Sequence, residues 1–596
     1  MTFLRLLCPG GLLAAVLFLA SCQTPVTERD AKAATADSSG RKWWKEAVVY
    51  QVYPRSFKDN DGDGVGDLKG VLSKLDYIKS LGVDVVWLNP IYASPNDDNG
   101  YDISDYQNIM KEFGTMQDFD NLLKGMHDRG LRLVMDLVVN HSSSEHEWFR
   151  QSRSSRSNPY RNYYHWWPKE KGQPAKRYSF FDVNNDAWKF DTLTNAWYLH
   201  YFSGKQPDLN WENPEVRRHI FDMMKFWFDK GVDGFRMDVI PFISKDTAFP
   251  ELPASYNGDF VKYYAHGPHL HEYLQAMDKE VLSKYDVMSV AEGIGVTTAD
   301  ALDFVDSSRH ELNMLYHFEG VSLGYLPNKF KTPDPKGYDL VEFKNIYSRW
   351  DSVFEEKGWG TVYLGNHDQP RMVTRWGNDS PAYRELSSKM LTTFLLTMRA
   401  TPYYYFGDEL AMNNIKFDRI GDYQDIESRN MYQKIKNEKG DLPAFLQAQK
   451  ISARDNSRTP FQWDSTVNAG FTTGKPWLKV NPNHTTVNVA KEEADPNSPL
   501  HYFRKMVKLR KSDLTLVYGK YTLLDRSNPQ VYSYTREWKG EKIRVLLNFS
   551  ARPATVATGA GSGTAAVLIG NYPDAATTLG GTVALRPYEA LVYKLQ

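Results

Sequence analysis

The sequence predicts an α/β protein: a (β/α)8 TIM barrel with an inserted subdomain and a C-terminal all-β sandwich domain. Three observations predict it. From Trp43 onward, short apolar runs alternate with amphipathic stretches through eight strand candidates. Between residues 142 and 208 that rhythm gives way to polar, aromatic sequence without periodicity. After residue 517, short alternating segments separated by turn residues take over. A βα pattern repeated this often fits a closed barrel better than an open sheet. At 596 residues the chain is also too long for a single core. The expected divisions are 43–141 and 209–516 for the barrel, 142–208 for the insertion and 517–596 for the sandwich.

The elements follow in order. Ala47 to Pro54 reads as the first strand. Leu68, Val71, Leu72, Leu75 and Ile78 mark one face of a helix. Val83 to Pro90 is the second strand, Met116 to Gly130 a helix closed by its glycine, and Leu131 to His141 the third strand. After the insertion come a helix over Glu215 to Lys230 and the fourth strand over Gly234 to Ile240. A helix near His269 to Lys284 leads to the fifth strand, Val287 to Glu292. The last three strands are expected at Leu312 to Phe318, Gly360 to Asp368 and Pro402 to Phe406. A helix near His501 to Ser512 ends the barrel, and VYSYTREW, IRVLLNFS and VALRPYEALVYKL are the clearest sandwich strands.

Arg5 and the apolar run Gly11 to Ala20 form a signal segment too short to span a bilayer. It ends in Leu19-Ala20-Ser21-Cys22, which resembles a bacterial lipoprotein cleavage box with Cys22 as the lipidated first residue. Residues 1–22 are thus expected to be removed or modified, 23–42 to form a flexible tether, and the protein to be an exported lipoprotein. Gln23 after the cysteine favours the outer membrane, on its periplasmic or surface side. Cys8 is the one other cysteine, so the mature chain has no disulfide. The net charge of -1 gives no reason to expect nucleic acid as a partner. The aromatic content of 14% suits a surface on which rings stack against sugars. The oligomeric state is not legible.

Polar signals gather at the C-terminal ends of the barrel strands, where such barrels carry their active sites. Strand three ends in Asp136 to His141. Strand four carries Arg236 and Asp238 at i and i+2, on one face of the strand. Strand five ends at Glu292 and strand seven in Asn366-His367-Asp368. A charged pair inside an apolar strand is costly unless it is paired or faces a site. Three carboxylates on strands four, five and seven converge once the barrel closes. A separate acidic loop runs from Asp59 through Asp61, Asp63 and Asp67, with glycines between, directly after the first strand. Oxygen ligands at alternate positions suit a hard cation, but Gly70 stands where an EF-hand loop requires glutamate.

The motifs DLVVNH, GFRMDVI, AEG and GNHD, in this order, resemble the four characteristic regions of glycoside hydrolase family 13, the α-amylase superfamily. Gln206 to Trp211 resembles the fifth region in its oligo-1,6-glucosidase and α-glucosidase branch. The resemblance runs from about Trp43 to the C-terminus. It implies that Asp238 is the nucleophile, Glu292 the general acid/base and Asp368 the transition-state stabiliser. His141 and His367 become partners of the same sugar, and Arg236 keeps Asp238 ionised. Asp98 would bind the non-reducing-end glucose, Tyr101 would stack on it, and Arg454 would pair with Asp98, Arg458 being the nearby alternative. Val239 beside the nucleophile goes with α-1,6 preference in that branch. The resemblance also implies one structural Ca2+, exchangeable with Mg2+, held by Asp59, Asp61, Asp63, Asp67 and the carbonyl of Val65. No organic cofactor is implied. The substrate class is short oligosaccharides. An isomerase or transglucosylase on the same scaffold, acting on sucrose- or trehalose-type sugars, is the alternative. A non-catalytic sugar-binding lipoprotein is the remote one.

Overall fold

Eight parallel strands close on one another: β1 (Val49–Val52), β2 (Val85–Leu88), β3 (Arg132–Val138), β4 (Gly234–Asp238), β5 (Met288–Gly293), β6 (Met314–His317), β7 (Thr361–Val362) and β8 (Thr401–Tyr405). The ladder runs β6-β5-β4-β3-β2-β1-β8-β7, and a parallel bridge between Leu315 and Gly360 joins its ends. The computed structural model describes residues 40–595, apart from 257, 328, 559–564, 576–578 and 580. The signal segment, Cys22 and nearly all of the tether lie outside the described residues. Among the described residues no helix is long and apolar enough to cross a membrane.

Nearly every residue of these strands is buried, as a sheet covered on both faces requires. Local chemistry sets the helices between them. In α1 (Met116–Asp128), Thr115 and Asp118 form a reciprocal capping box. In α2 (Pro214–Lys230), Asn213 caps the first turn, Pro214 occupies it, and Gly231 ends the helix at φ 107.

Several boundaries differ from expectation. The apolar face over 68–78 belongs to two short helices, Leu68–Ser73 and Leu75–Ser80, which meet at Lys74 (φ -114, ψ 10). The helix near 269–284 stops at Glu280, and a separate turn, Leu282–Lys284, follows. β4 ends at Asp238, because Val239 turns left-handed at φ 35. β7 pairs only over Thr361–Val362; beyond it, the Asn366 side chain accepts from the Asp368 amide at 2.8 Å and folds the segment into a turn. A helical turn, Pro54–Phe57, separates β1 from the acidic loop.

The insertion is more regular than its sequence suggests. Trp166–Pro168, Ala196–Leu199 and Trp188–Asp191 form an antiparallel sheet with Ala196–Leu199 in the middle.

Three more helices pack around the later strands: α3 (Leu340–Val353), α4 (Arg384–Thr397) and α5 (Pro499–Ser512). The C-terminal domain is an antiparallel sheet of β9 (Lys520–Leu524), β10 (Val531–Trp538), β11 (Glu541–Asn548), β12 (Ala565–Gly570) and β13 (Ala590–Leu595), in the order β9-β10-β11-β13-β12. The segment VALRPYEALVYKL splits: Thr582–Leu585 pairs with Ala554–Ala557 in a second sheet, and β13 joins the first.

Two fully buried arginines meet where this domain joins the barrel, one from each side. Arg510 of α5 donates to the carbonyls of Leu396, Met398 and Leu516 at 3.0 Å and of Ala400 at 2.6 Å. Arg536 of β10 donates to Leu516, Val517 and Gly519, and also to Thr397. The cations lie against the C-terminal end of α4, where the helix dipole is negative. Burial lowers Arg510 to about 9 and Arg536 to about 10.

Candidate active site

Arg236 is the centre of the polar cluster. Parallel pairing sets Asp136 of β3 beside Arg236, and Val138 beside Asp238. Arg236 Nη1 donates to Asp136 Oδ1 at 2.6 Å and to Asp238 Oδ1 at 2.5 Å. Its Nε donates to the Tyr316 hydroxyl at 2.7 Å. Its Nη2 lies 2.6 Å from Glu292 Oε1 without hydrogen-bond geometry. One fully buried guanidinium therefore touches three carboxylates, which is what keeps its charge tolerable there. Asp136 is buried beneath it, accepts from the Trp87 indole at 2.9 Å, and is pushed up to about 6 by burial.

Burial raises the Asp238 carboxyl well above its ordinary value, so Arg236, expected to keep it ionised, offsets only part of the rise, and the neighbouring Glu292 charge adds to it. Burial likewise raises Glu292; Arg236 opposes this and Asp368 reinforces it. Glu292 Oε2 also accepts from the Val239 amide at 2.8 Å. That amide reaches Glu292 from a β-branched residue in left-handed conformation, a strained backbone of the kind found at functional sites. The sequence places Val239 in the strand; in the structure it is the first residue of the turn beyond it.

Asp368 behaves oppositely. Its Oδ1 accepts from Arg454 Nη1 at 3.0 Å and Arg458 Nη2 at 2.9 Å, and its Oδ2 lies 3.2 Å from His367 Nε2. Burial would raise the carboxyl, but His367 and the two arginines outweigh it and hold Asp368 well below the usual carboxylate range. Burial drives His367 itself far below its ordinary value, against the pull of Asp368. The Tyr101 ring stacks on His367 at 5.3 Å between centroids, 3° from parallel, with its hydroxyl 2.7 Å from Nε2. Tyr101 thus has one partner already in the protein.

The Asp98–Arg454 pair is present but is not the fork expected. Arg454 Nη2 reaches Asp98 Oδ1 at 3.4 Å. Its closer partner is Asp425, at 2.5 Å from Nη2 and 3.0 Å from Nε. Arg458 joins the same knot, 3.4 Å from Asp425. Asp98 takes its second contact from Gln206 Nε2 at 3.1 Å, and burial pushes it up to about 7 against the pull of Arg454 and Arg458. His141 sits beside them with Nε2 3.2 Å from the Tyr101 carbonyl, neutral because burial lowers it to about 3.

These groups line one cavity of about 470 Å³. Asp98, Tyr101, His141, Asp238, Val239, Glu292, Asp368 and Arg454 all border it, while Arg236 and His367 act from behind. Its other wall is Phe180, Phe181, Phe202, Phe318 and Phe330, with Lys331 and Glu427 bridged at 2.6 Å. Nothing in the sequence singles out Asp425, Glu427 or Tyr316. Asp425 and Glu427 stand in no motif, and Tyr316 is one apolar-run tyrosine among many. All three become functional candidates only through the fold.

The acidic loop lies apart from this cavity. Asp59, Asp61 and Asp67 bring one carboxylate oxygen each within 4.8 Å of one another, and this all-oxygen set fits a hard divalent cation. Asp63 is not in that group; its Oδ1 accepts from the Val65 amide at 2.7 Å.

Residues 51–519 match the family described as Alpha amylase, catalytic domain, and residues 521–592 match the Maltogenic Amylase C-terminal domain. The chain is 50% identical over 566 residues to an oligo-1,6-glucosidase of Parageobacillus thermoglucosidasius, covering 93% of this chain and 99% of that one. It is 47% identical to an alpha-glucosidase of Pediococcus pentosaceus, covering 93% and 99%. Among solved structures, the trehalulose synthase of Pseudomonas mesoacidophila superposes with a TM-score of 0.91 at 44% identity, covering 94% of this chain and all of that one.

Proposed function

The chain belongs to the α-amylase family, and from that premise we propose that it is a retaining, exo-acting α-glucosidase that removes glucose from the non-reducing ends of short α-1,6-linked oligosaccharides, with α-1,4 bonds as secondary substrates. The observation that carries this reading is the placement of Asp238 and Glu292 against one guanidinium, in a cavity whose inner end is tied off by Asp98, Arg454, Asp425 and Asp368. Two carboxyls that share a guanidinium sit close together, as in retaining enzymes, where the separation is roughly 5–5.5 Å. The closed end admits a chain terminus and not a chain interior.

Asp238, hydrogen-bonded to Arg236, attacks the anomeric carbon as Glu292 passes its proton to the leaving oxygen. The glucosyl group is then held on Asp238 until water, deprotonated by Glu292, releases it. Asp368, kept ionised by Arg454 and Arg458, holds ring hydroxyls as the sugar flattens. Val239 and the named oligo-1,6-glucosidase relatives support the linkage preference. The test is glucose release by the purified protein from isomaltose and from maltose. We expect isomaltose to be favoured by roughly tenfold in kcat/KM; preference for maltose would sink the linkage while keeping the mechanism.

A second reading is favoured by one observation: solved relatives of this fold include trehalulose and isomaltulose synthases at 44–45% identity. Sucrose given to the protein separates the two, since rearranged disaccharides rather than glucose and fructose would establish the isomerase.

For the acidic loop we propose a structural Ca2+, or Mg2+ in its place, held by Asp59, Asp61 and Asp67 with the Val65 carbonyl, Asp63 serving the turn. Stripping it with EDTA is expected to lower Tm by a few degrees, roughly 2–4 °C per kcal/mol lost, and Ca2+ to restore it. An unchanged Tm would remove the ion from the account.

A further inference from the structure

Lys245 lies seven residues past the nucleophile and does not border the cavity, yet it is only 4% exposed. Its Nζ donates to Asn140 Oδ1 at 2.8 Å and to the Phe242 carbonyl at 2.7 Å, and lies 3.3 Å from Asp208 Oδ2. An ammonium donates and never accepts. The oxygen of the Asn140 amide must therefore face Lys245, and its NH2 group must face the neighbouring ring, His141 Nδ1, at 3.1 Å. A ring nitrogen that receives an N–H is bare, so the single proton of the neutral imidazole stands on Nε2.

The far side of the ring agrees. His141 Nε2 lies 3.2 Å from the Tyr101 carbonyl, a partner that accepts only. Gln206 Nε2 is also 3.2 Å from His141 Nε2 and would select the opposite tautomer. Its amide, oriented by the Ser203 amide on Oε1, has acceptors elsewhere in Asp98 and the Tyr101 carbonyl. The Asp208 carboxylate, an acceptor that also touches the Asn140 side chain, favours the same orientation, and with both Lys245 and this charge gone the Asn140 amide is free to flip. Its oxygen would then call the proton to Nδ1, leaving a bare Nε2 at the cavity wall.

We propose that Lys245 is a positioning residue for sugar recognition: acting through Asn140, it fixes His141 as the Nε2–H tautomer, so that the N–H held by the Tyr101 carbonyl is the one a sugar hydroxyl can share at the cavity wall. Its kinetic consequence rests on the glucosidase reading; the tautomer itself does not.

The test has two arms on the full chain. Long-range 1H–15N correlation of histidine-labelled protein reads the His141 ring directly, its signals identified by their loss in His141→Ala. We expect the Nε2–H pattern in the wild type and a shift toward Nδ1–H in Lys245→Met combined with Asp208→Asn, which removes both buried charges together. The same pair of substitutions is expected to lower kcat/KM by about tenfold in the wild type and by less than about twofold in His141→Ala. A wild-type Nδ1–H ring, a pattern unmoved in the variant, or an equal loss in both backgrounds would each overturn the proposal. A protein inactive on every sugar would fail the glucosidase reading and leave the ring measurement standing.

Discussion

Replacing Asp238 with asparagine is expected to reduce kcat on isomaltose by about 10^4-fold or more while leaving the protein folded. The amide oxygen can still accept from Arg236 Nη1, the contact that Asp238 makes at 2.5 Å, so the cluster keeps its shape. What disappears is the nucleophilic anion and, with it, the glucosyl-enzyme. Glu292→Gln is the informative contrast. It keeps the nucleophile and removes the proton donor, so it should lose far less on a glucoside whose leaving group needs no protonation. Turnover by Asp238→Asn within tenfold of the wild type would remove the double displacement from this site.

Arg236→Met should have the largest effect on stability. Arg236 is the shared partner of Asp136, Asp238 and Glu292, all buried. Removing a cation from such a group leaves uncompensated charge and costs about 3–5 kcal/mol. The loss should depend on pH. Asp136 is already pushed up to about 6 by burial, and losing Arg236, its largest offset, raises it further. A carboxyl with a folded value above its unfolded value binds more protons in the native state. Its contribution is full below the unfolded value, near ~4, and is lost as pH rises through 6 and beyond. The gap between variant and wild type should therefore narrow as pH falls toward ~5, as urea unfolding at the two ends of that range would measure. Parallel stability curves would mean that these carboxyls do not depend on Arg236 for their ionisation.

Much of this site was legible before the fold was known, and the reason is periodicity. Arg236 and Asp238 two apart on an apolar strand, and carboxylates at the ends of strands four, five and seven, mean one site once a barrel is inferred. Backbone conformation was not legible. Val239 looks like a strand valine because β-branched residues favour strands; its φ of 35 is imposed by the turn that carries its amide to Glu292. Partner choice was not legible either. Arg454 was assigned to Asp98, but Asp425, far from any motif, sits closer and takes the stronger contact. Lys245 showed no signal, because a lysine after an apolar turn is ordinary until its neighbours are known. The reading of Cys22 as a lipid-attachment site rests on residues 1–22 alone.

The arginines that clasp the end of α4 bear on the order in which the chain can mature. The carbonyls of 396–400 sit in the last part of the barrel, yet the donors that satisfy them arrive only with residues 510 and 536. A nascent chain that has emerged as far as β8 holds all three carboxylates but leaves that helix end without its partners. Arg510 supplies its share from within the barrel, so the one carbonyl of the group that waits for the sandwich is that of Thr397, and the terminal domain works as the last fastening of that helix end.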